Sequence, residues 1–591
     1  MITGELGDLL KAALKEAEKS GAITLTEPIG EVKLENPASK AHGDFSTNLA
    51  LTLKKSSGIN NPREIAEKIL AHLPPSNLIE RTEIAGPGFI NFYLKPAWLQ
   101  DALLKIEHED SCYGTSNVRA GDKVLIEFVS ANPTGPISVV NGRAAALGDV
   151  LGSLLEAQGC EVSREFYIND ALNSTQLEHF SASVYARYLQ NLGHPVLMPA
   201  KEGHNGETHE EGVPETLEGK ELVHFPKLGY PGEYVRDIAG AIVREVGDKY
   251  EVGNETERDA YFRETTFRYM LDTQQKALSA FGLHFDKWFY ESSLYEEGKV
   301  ENVIQTLKDR GYAYENEGAL WLKSSELGDE KDRVLIRSNE KATYIAADAA
   351  YHEDKFRRGY SHLINIWGAD HHGYVARLKA GVIALGLDVT KLKIILTQMV
   401  SLVRDGEAVI GGKRQGNIIE LKEDLIDEIG KDAARFYFLL NSYETPATVD
   451  VELAKRQSNE NPVYYVQYAH ARLVNIVKKA EEAGYTRAPS SAVDRSLLVH
   501  PAELDVLRKL ADYPEEVALA ARDYAPHRLT QYAREMGALL NVFYENCRVI
   551  PGKDDPANPA LTTSRLALVN GARITLRNLL TLIGVSAPDK M

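Results

Sequence analysis

The 591-residue sequence has little cysteine and no long apolar run. Its three cysteines, Cys112, Cys160 and Cys547, are too few and too far apart to suggest a zinc site or a disulfide framework. No uncharged apolar run reaches the roughly 20 residues that a membrane-spanning helix needs, and the first residues do not begin a secretion signal. We therefore expect a cytoplasmic protein with no membrane partner, no bound metal and no tightly bound organic cofactor.

The sequence also lacks a positive net charge. Its formal net charge is −18 at pH 7, and residues 461–591 carry 16 Lys and Arg against 14 Asp and Glu, so the first 460 residues carry −20. Phosphate attraction supplies most nonspecific binding to nucleic acid, which excludes a protein that coats it. The uneven charge fits a protein that contacts a polyanion through selected surfaces.

Hydrophobic periodicity divides the chain into four regions, in keeping with the three to five domains that its length suggests. We predict an α+β domain over 1–115, a doubly wound parallel-sheet domain over 116–385 with an insertion around 175–290, a connecting region over 386–460, and an all-α helical bundle over 461–591. The strands predicted for the parallel sheet lie at 123–129, 161–168, 334–337 and 362–367. The fold class is therefore multidomain α/β.

A turn rich in proline and glycine follows the first predicted strand. Residues 130–136 read Ser-Ala-Asn-Pro-Thr-Gly-Pro, and a predicted helix follows from about residue 142. Ligands bind beyond the carboxyl ends of parallel strands, where the next helix offers free N–H groups to phosphate. The turn has neither the glycine spacing of a dinucleotide-binding loop nor the Gly-Lys-Ser/Thr ending of a P-loop. A crossover turn without a ligand is the alternative.

Several motifs, in order along the chain, resemble those of the arginyl-tRNA synthetases. They are Glu-Phe-Val-Ser-Ala-Asn-Pro-Thr-Gly-Pro at 127–136, Gly-Arg-Ala-Ala-Ala-Leu-Gly-Asp at 142–149, Tyr-Ile-Asn-Asp at 167–170, Trp-Gly-Ala-Asp-His-His-Gly-Tyr at 367–374, and the segment 457–472. The resemblance implies a class I synthetase with a Rossmann-like catalytic domain, an N-terminal domain that contacts tRNA and an anticodon-binding helical domain. It also implies that arginine and ATP, with Mg²⁺, form an arginyl-adenylate, that the arginine then passes to tRNA, and that tRNA must be present for the first step.

The resemblance assigns arginine binding to Glu127, Asn132, Tyr344 and Asp348. A buried guanidinium favours carboxylates and an aromatic face. Tyr344 and Asp348 stand four residues apart, one turn of a helix, so both can face one pocket. From the residues alone, a core tyrosine and a surface carboxylate remain the alternative.

The resemblance assigns ATP binding to three segments, of which 367–374 matches the family and two, 138–141 and the milder case 410–417, depart from the usual class I motifs. The expected ATP-binding residues are Pro136, Ser138, Asn141, Gly368, Asp370, His372 and Lys413. Where the family has a motif of the His-Ile-Gly-His kind, this chain has Ser-Val-Val-Asn at 138–141. Ser138 and Asn141 can donate hydrogen bonds to phosphate but carry no charge. Lys413, in the glycine-rich segment 410–417, is the expected catalytic cation for the diphosphate leaving group.

Contact with tRNA is implied for two regions. In the N-terminal domain the candidates are Phe89, Asn91 and Phe92. The rings of the two phenylalanines can stack on an unpaired base. In the helical bundle they are Tyr465, Tyr468 and Arg472. Core packing is the alternative for every aromatic residue among them.

Two other functions are weighed against an active, monomeric arginine–tRNA ligase. A paralogue that binds tRNA with little or no charging activity would explain the altered segment 138–141. The combined presence of the arginine residues, Asp370 and Lys413 favours the enzyme. A class I synthetase for another amino acid is disfavoured, because only a cationic side chain needs paired carboxylates.

Overall fold

The N-terminal unit is a small α+β domain. The protein is seen here in a computed structural model, which describes residues 2–591 except 31, 36, 38, 40–41, 171–173, 200–215, 218–219, 410–417 and 553–557. The first elements are α1 (Ile2–Lys19), β1 (Phe45–Thr47), α2 (Leu49–Thr52), α3 (Lys54–Ser57), α4 (Pro62–Ala71), β2 (Ile79–Ala85) and β3 (Phe89–Leu94). The three strands form an antiparallel sheet in the order β1-β3-β2. Leu6, Leu10 and Leu14, on one face of α1, are buried in its core.

The next helix, α5 (Pro96–Glu109), belongs to a different core. Its buried residues Leu99, Leu103 and Ile106 pack with the C-terminal helices rather than with the N-terminal sheet. The α+β unit therefore ends at about residue 95, and the predicted boundary at 115 includes one helix too many. The loss of periodicity near 115 marks the end of that helix.

The catalytic region begins with a strand, a helix and a strand, and then a helical insertion interrupts it. The elements are β4 (Lys123–Phe128), α6 (Val139–Glu156), β5 (Glu161–Ile168), α7 (Thr175–Asn191), β6 (Val196–Leu197), β7 (Thr216–Leu217), β8 (Lys220–Glu221), β9 (Val223–His224), α8 (Glu233–Val246) and α9 (Glu255–Ala280). Helices α7, α8 and α9 bury their apolar faces against one another, so the insertion has a core of its own.

The chain then returns to the main sheet and completes it. The elements are β10 (Lys287–Tyr290), α10 (Ser292–Glu296), α11 (Lys299–Asp309), β11 (Ala313–Asn316), β12 (Ala319–Leu322), β13 (Arg333–Ile336), α12 (Tyr344–Arg357), β14 (His362–Gly368), α13 (Val375–Ala384) and β15 (Leu392–Thr397). Five parallel strands in the order β10-β5-β4-β14-β15 form the sheet. This confirms the doubly wound fold class.

The structure corrects two features of the predicted sheet. The strand expected at 334–337 exists as β13, but it pairs antiparallel with β12 in a separate three-stranded sheet. Strand β15 belongs to the main sheet, so the catalytic domain continues beyond residue 385.

The connecting region packs a small mixed sheet beside the catalytic domain. Its elements are β16 (Val400–Arg404), β17 (Glu407–Val409), the π-helical turn Lys422–Ile426, α14 (Asp427–Phe438), β18 (Ala447–Asp450) and α15 (Val451–Lys455). The strand order is β17-β16-β18.

The C-terminal region is a helical bundle, as predicted. Its long helices are α16 (Pro462–Glu482), α17 (Pro501–Arg522), α18 (His527–Asn546) and α19 (Pro559–Leu582). The side chain of Asn461 caps the start of α16, where Pro462 needs no hydrogen-bond acceptor. None of the helices in the described ranges is long and apolar enough to cross a bilayer.

One buried arginine joins the bundle to the catalytic domain. The guanidinium of Arg435, on α14, forms an ion pair with Asp149 on α6. It also donates to the carbonyls of Phe281, just after α9, and Ile583, just after α19, at 3.3 Å each. Three separate parts of the chain therefore meet at one side chain.

Candidate active site

A row of polar residues crosses the centre of the parallel sheet. Glu165 on β5, Glu127 on β4 and Asn365 on β14 are aligned in register, and all three are buried. Because the strands are parallel, these neighbours project to the same face. Buried polar groups must find hydrogen-bond partners to avoid a large desolvation cost. The partners come from α12.

Lys355 of α12 compensates the central carboxylate of this row. Its fully buried ammonium group donates to Glu127 Oε2 at 2.6 Å and to Asn365 Oδ1 at 3.0 Å, and it lies 4.1 Å from the centre of the Tyr351 ring. Ser130 Oγ donates to Glu127 Oε1 at 3.0 Å. Both oxygens of Glu127 therefore already accept hydrogen bonds, and Lys355 balances the charge of this predicted arginine ligand.

Glu165 is held in the same way by Tyr351 of α12 and by Arg358, the residue just after this helix. Arg358 donates to both of its oxygens, at 2.5 and 2.9 Å, and Tyr351 donates to Oε1 at 2.6 Å. Although burial acts to raise the pKa of Glu165, hydrogen bonds from Arg358 and the charge of Lys355 lower it below its usual value. Glu165 is therefore a structural carboxylate.

Asp348 lies on α12 two turns before Lys355 and therefore on the same side of the helix. It accepts a hydrogen bond from Tyr374. Burial, with a contribution from the charge of Glu127, raises the pKa of Asp348 to about 6. Glu291, just after β10, accepts a hydrogen bond from Tyr167. Burial and the charges of Asp348 and Asp170 raise the pKa of Glu291 to about 7. We call Asp348, Glu291, Tyr167 and Tyr374 the acid pocket.

The acid pocket has the electrostatics of a cation site. The charge of Asp348 contributes to the raised pKa of Glu291, and two neighbouring carboxyl groups with raised pKa values gain most from a ligand that brings a positive charge between them. Burial raises the pKa values of Tyr167 and Tyr374 well above the usual tyrosine value, so both remain neutral donors. Asp170 fixes the edge of the pocket, since it accepts from the backbone N–H and hydroxyl of Ser292 at 2.9 and 2.6 Å.

The other two predicted arginine residues lie outside the buried part of this pocket. Tyr344 is the first residue of α12, one turn before Asp348, and its side chain is 62% exposed. Asn132 Nδ2 donates to Gln176 Oε1 of α7 at 2.8 Å. Their roles in binding arginine stay predictions.

The turn between β4 and α6 leaves the sheet through an unusual backbone conformation. Val129 has φ of 71° and Ser130 has φ of 39°, in the left-handed region that a β-branched residue rarely adopts. Ser130 Oγ, besides its bond to Glu127, accepts from the backbone N–H of Tyr167 at 3.1 Å. The strained corner thus joins the acid pocket to the turn 130–136.

Helix α6 begins with a capping box built from the atypical motif. Ser138 Oγ accepts from the Asn141 backbone N–H at 3.3 Å, and Asn141 Oδ1 accepts from the Ser138 N–H at 3.3 Å and hydroxyl at 2.7 Å. These groups, predicted to bind ATP, first of all cap the helix. The Nδ2 group of Asn141 is the donor that this arrangement leaves for a ligand. Pro136 is buried just before the cap.

The segment after the second predicted nucleotide loop is attached to this helix start. Val139 N–H donates to Ile419 O at 3.0 Å, and Leu421 N–H donates to Ile137 O at 2.8 Å. Lys413 itself lies outside the described residues. The chain that carries it is joined by backbone hydrogen bonds to the start of α6.

The remaining ATP-binding candidates lie at the carboxyl end of β14. Gly368 ends the strand, and Asp370 and His372 lie in the short 3-10 helix Ala369–Tyr374, where they are exposed. A Cβ atom on Gly368 would overlap Asp370 Oδ1, so the absence of a side chain there lets the Asp370 carboxylate fold back over the strand end. His371 lies 3.7 Å from Asp370.

The tRNA candidates of the N-terminal domain differ in exposure. Phe89 is 39% exposed, whereas Phe92 lies in the core and Asn91 is buried, with its Oδ1 accepting from Ser46 Oγ at 2.8 Å. Only Phe89 presents a ring face in this structure. Asn91 and Phe92 are adjacent in strand β3 and so point to opposite faces, and both are buried, so a base cannot reach either without rearrangement.

The candidates in the bundle form one aromatic surface on α16 and α18. Tyr468 is 42% exposed and stacks on Tyr464, with ring centres 5.9 Å apart and planes 9° apart. The Arg472 guanidinium lies 4.0 Å from the centre of the Tyr544 ring. Tyr465 is half-buried and bonds through its hydroxyl to Asn541. We call Tyr464, Tyr468, Arg472 and Tyr544 the α16 surface.

Sequence reasoning missed Glu291 and Lys355. Lys355 could have been found, because it lies seven residues after Asp348 and so on the same face of one helix. Glu291 carries no such signal, since a four-residue strand after a long insertion brings it to the site. In the described ranges, no group of three or more His, Cys, Asp or Glu side chains could hold a metal ion.

Several known proteins are similar to this chain over nearly its whole length. The family model of the arginyl-tRNA synthetase N-terminal domain matches residues 4–94, and that of the DALR anticodon-binding domain matches residues 466–591. An arginine–tRNA ligase of Heliobacterium modesticaldum is 45% identical over 568 residues, which is 95% of this chain and 94% of that one. One of Carboxydothermus hydrogenoformans is 44% identical over 100% of this chain and 99% of that one.

Solved structures show the same fold at lower identity. The arginyl-tRNA synthetase of Thermus thermophilus superposes with a TM-score of 0.72 at 21% identity and full coverage of both chains. That of Plasmodium falciparum gives 0.70 at 15% identity, over 100% of this chain and 99% of that one.

Proposed function

Since this chain belongs to the arginyl-tRNA synthetase family and is an arginine–tRNA ligase, we propose that its acid pocket holds the guanidinium of the substrate. The observation that supports this is the proximity of two carboxyl groups, the half-buried Asp348 and the buried Glu291, each with a raised pKa. A guanidinium between them would draw the protons off both and form two charge-assisted contacts. Tyr344 and Asn132 would cover it from the open side.

The role of Glu127 in this proposal differs from that of Asp348. Its charge is balanced by Lys355, so Glu127 shapes the floor of the site and leaves the guanidinium to Asp348 and Glu291. The test is the rate at which labelled diphosphate exchanges into ATP when arginine and cognate tRNA are present. This rate shows whether the site binds and activates arginine. No exchange by the folded protein would contradict the proposal.

We propose that ATP, as its Mg²⁺ complex, lies between the start of α6 and the end of β14. Asp370 and His372 would contact the ribose, beside Gly368. Asn141 and the helix N-terminus behind Pro136 would face the phosphates. For Lys413 the support is its match in sequence: a cation there would stabilise the charge that develops on the diphosphate.

In this arrangement the arginine carboxylate attacks the α-phosphate of ATP, and diphosphate leaves. A hydroxyl at the 3′ end of tRNA then attacks the carbonyl of the arginyl-adenylate, and AMP leaves. The chain's part is to hold both reactants in one orientation, which is a large share of such catalysis. We propose that one chain does this as a cytoplasmic monomer, because the acid pocket and both tRNA-facing surfaces lie within it.

Gly368→Ala should raise the ATP KM about 10-fold while the melting temperature changes by less than about 2 °C. The new methyl group overlaps Asp370 Oδ1, which is the end of an exposed side chain and can move aside without disturbing the sheet. Diphosphate exchange at varied ATP measures the effect. Gly373→Ala is the matched control, because its Cβ would have nothing within 4 Å. Equal ATP KM values for the two variants would remove Asp370 from the nucleotide site.

We propose that tRNA binds across the α16 surface and Phe89. Tyr468 offers an exposed ring that is already stacked on one side, and the Arg472 guanidinium beside it supplies positive charge. Any of the four bases can stack on such a ring when it is unpaired, because every base has a flat aromatic face. Of the predicted tRNA residues, Tyr465, Asn91 and Phe92 would support these surfaces from within.

Tyr468→Ala should weaken tRNA binding about 10-fold, because stacking of a base on an aromatic side chain contributes about 1–3 kcal/mol. Filter binding with the unmodified tRNA gives the Kd. Tyr269→Ala on α9 is the control, since that ring is 41% exposed, close to the 42% of Tyr468. If both variants bind tRNA like the wild type, the α16 surface is not a tRNA contact.

A further inference from the structure

The insertion between β5 and β10 contacts the turn of the active site through one buried glutamine. Gln274 of α9 is fully buried. Its Nε2 group donates to the carbonyl of Asn132 at 3.0 Å and to the carbonyl of Gly135 at 2.7 Å. These are the two carbonyls that precede Pro133 and Pro136. A single amide group from the insertion therefore binds both ends of the turn.

A second helix of the insertion binds the middle of the same turn. Tyr234 of α8 donates its hydroxyl to the carbonyl of Thr134 at 3.0 Å. Burial raises the pKa of Tyr234 above its usual value, so the phenol keeps the proton that it donates. Together, the two helices bind the carbonyls of three residues in a four-residue segment.

The turn cannot supply hydrogen-bond partners for all of its own carbonyls. Pro133 and Pro136 have no N–H group, and the N–H of Thr134 is used within the turn, where it bonds to Asn132 O at 2.8 Å. Without the insertion, the buried carbonyls of Thr134 and Gly135 would lose their partners, a cost that folded proteins avoid. The prolines restrict the backbone of the turn, and the insertion holds its carbonyls.

The N–H group of Gly135 is directed by the same contacts. In a planar trans peptide, the N–H of Gly135 points opposite to the carbonyl of Thr134, and therefore away from Tyr234. No acceptor for it is present among the residues that the structure describes. Just before the start of α6, this N–H adds a donor to those of the helix N-terminus.

We propose that Gln274 and Tyr234 are positioning residues for arginine activation. Neither touches a substrate. They fix the turn 132–135, so that the Asn132 side chain and the Gly135 N–H keep the orientation in which they meet the reactants. The inference rests on the proposed place of arginine and ATP beside this turn. Through these contacts the insertion contributes to the first reaction step, although it lies far from the turn in the sequence.

The test is Gln274→Leu, which removes the amide donors at similar volume. We expect kcat/KM for arginine-dependent diphosphate exchange to fall about 10- to 30-fold, mainly in kcat, while the tRNA Kd stays within twofold of the wild type. Gln275→Leu is the matched control: it lies on the same helix but points about 100° away, and it should exchange like the wild type. Tyr234→Phe removes one hydroxyl and should lower kcat/KM about 3- to 10-fold.

The outcomes separate this inference from the proposed function. If the wild type does not exchange diphosphate, the proposed site fails. If the wild type is active and Gln274→Leu and Tyr234→Phe both match Gln275→Leu, the site stands and the positioning role is overturned. If Gln274→Leu does not fold, Tyr234→Phe decides alone: a lower kcat at an unchanged melting temperature supports the role, and wild-type kcat overturns it.

Discussion

Asp348→Asn is expected to raise the arginine KM by two to three orders of magnitude. Removing one member of a buried charge pair costs about 3–5 kcal/mol, because the other charge is left uncompensated, and here the guanidinium would lose one of its two carboxylates. The substitution keeps the shape of the side chain and an oxygen for the Tyr374 hydroxyl. Diphosphate exchange at varied arginine measures the KM, and the ATP KM should change little.

The control for this variant is Glu353→Gln on the same helix. Glu353 pairs at 2.8 Å with Arg357, whose side chain is exposed, and its position five residues after Asp348 turns it about 140° away from that residue, so the variant should leave the arginine KM unchanged. The pH dependence gives a second measure. Because the pKa of Asp348 is about 6 and that of Glu291 about 7 before arginine binds, protons compete with the guanidinium at low pH. The wild-type arginine KM should therefore fall as pH rises from 6 to 8, and Asp348→Asn should flatten this dependence. An arginine KM within threefold of the wild type would remove Asp348 from the pocket.

Lys355→Met is expected to destabilise the catalytic domain by about 3–5 kcal/mol. The buried ammonium balances Glu127 and bonds to Asn365, and without it the Glu127 carboxylate keeps only the hydroxyl of Ser130. Urea unfolding, followed by a probe in the parallel-sheet domain, measures the free energy of unfolding.

Two further variants test the cause of this loss. Lys355→Met combined with Glu127→Gln removes the stranded charge, so it should recover at least half of the lost stability. Lys299→Met, on α11, removes a lysine that pairs with Asp354 and Glu297 near the surface, and should cost less than about 1 kcal/mol. Should Lys355→Met cost no more than Lys299→Met, the buried network would not stabilise the sheet.

The parts of the fold that the sequence predicted are those with local signals. The strands at 123–128 and 362–368 were predicted because strands buried on both faces read as short, mainly apolar runs. The strand at 161–168 gives this signal only at its end, Phe166-Tyr167-Ile168, since Glu161, Arg164 and Glu165 come before it. The run at 334–337 has the same appearance but forms a hairpin sheet, since pairing partners are set by tertiary context and not by the run itself. Helix α5 was assigned to the N-terminal domain because sequence order does not show which core an apolar face joins.

The candidate site was predictable in the same uneven way. Asp348 was found through the family motifs, and Lys355 was within reach of helical periodicity. Glu291 was not, because β10 brings it beside Asp170 only after the whole insertion has folded away from the sheet. The capping box of Ser138 and Asn141 could have been read from the spacing of the two residues, since Ser with a hydrogen-bonding residue three positions later is a common helix start.

The contacts of Arg435 affect the point during synthesis at which the enzyme can finish folding. Domains usually fold in order as a chain leaves the ribosome, and the strands of the main sheet emerge long before the end of the chain. The guanidinium of Arg435, however, needs the carbonyl of Ile583 as well as Asp149 behind α6. The last helix must therefore leave the ribosome before this junction can form. In a nascent chain that ends before Ile583, the Arg435 guanidinium lacks one of its hydrogen-bond acceptors.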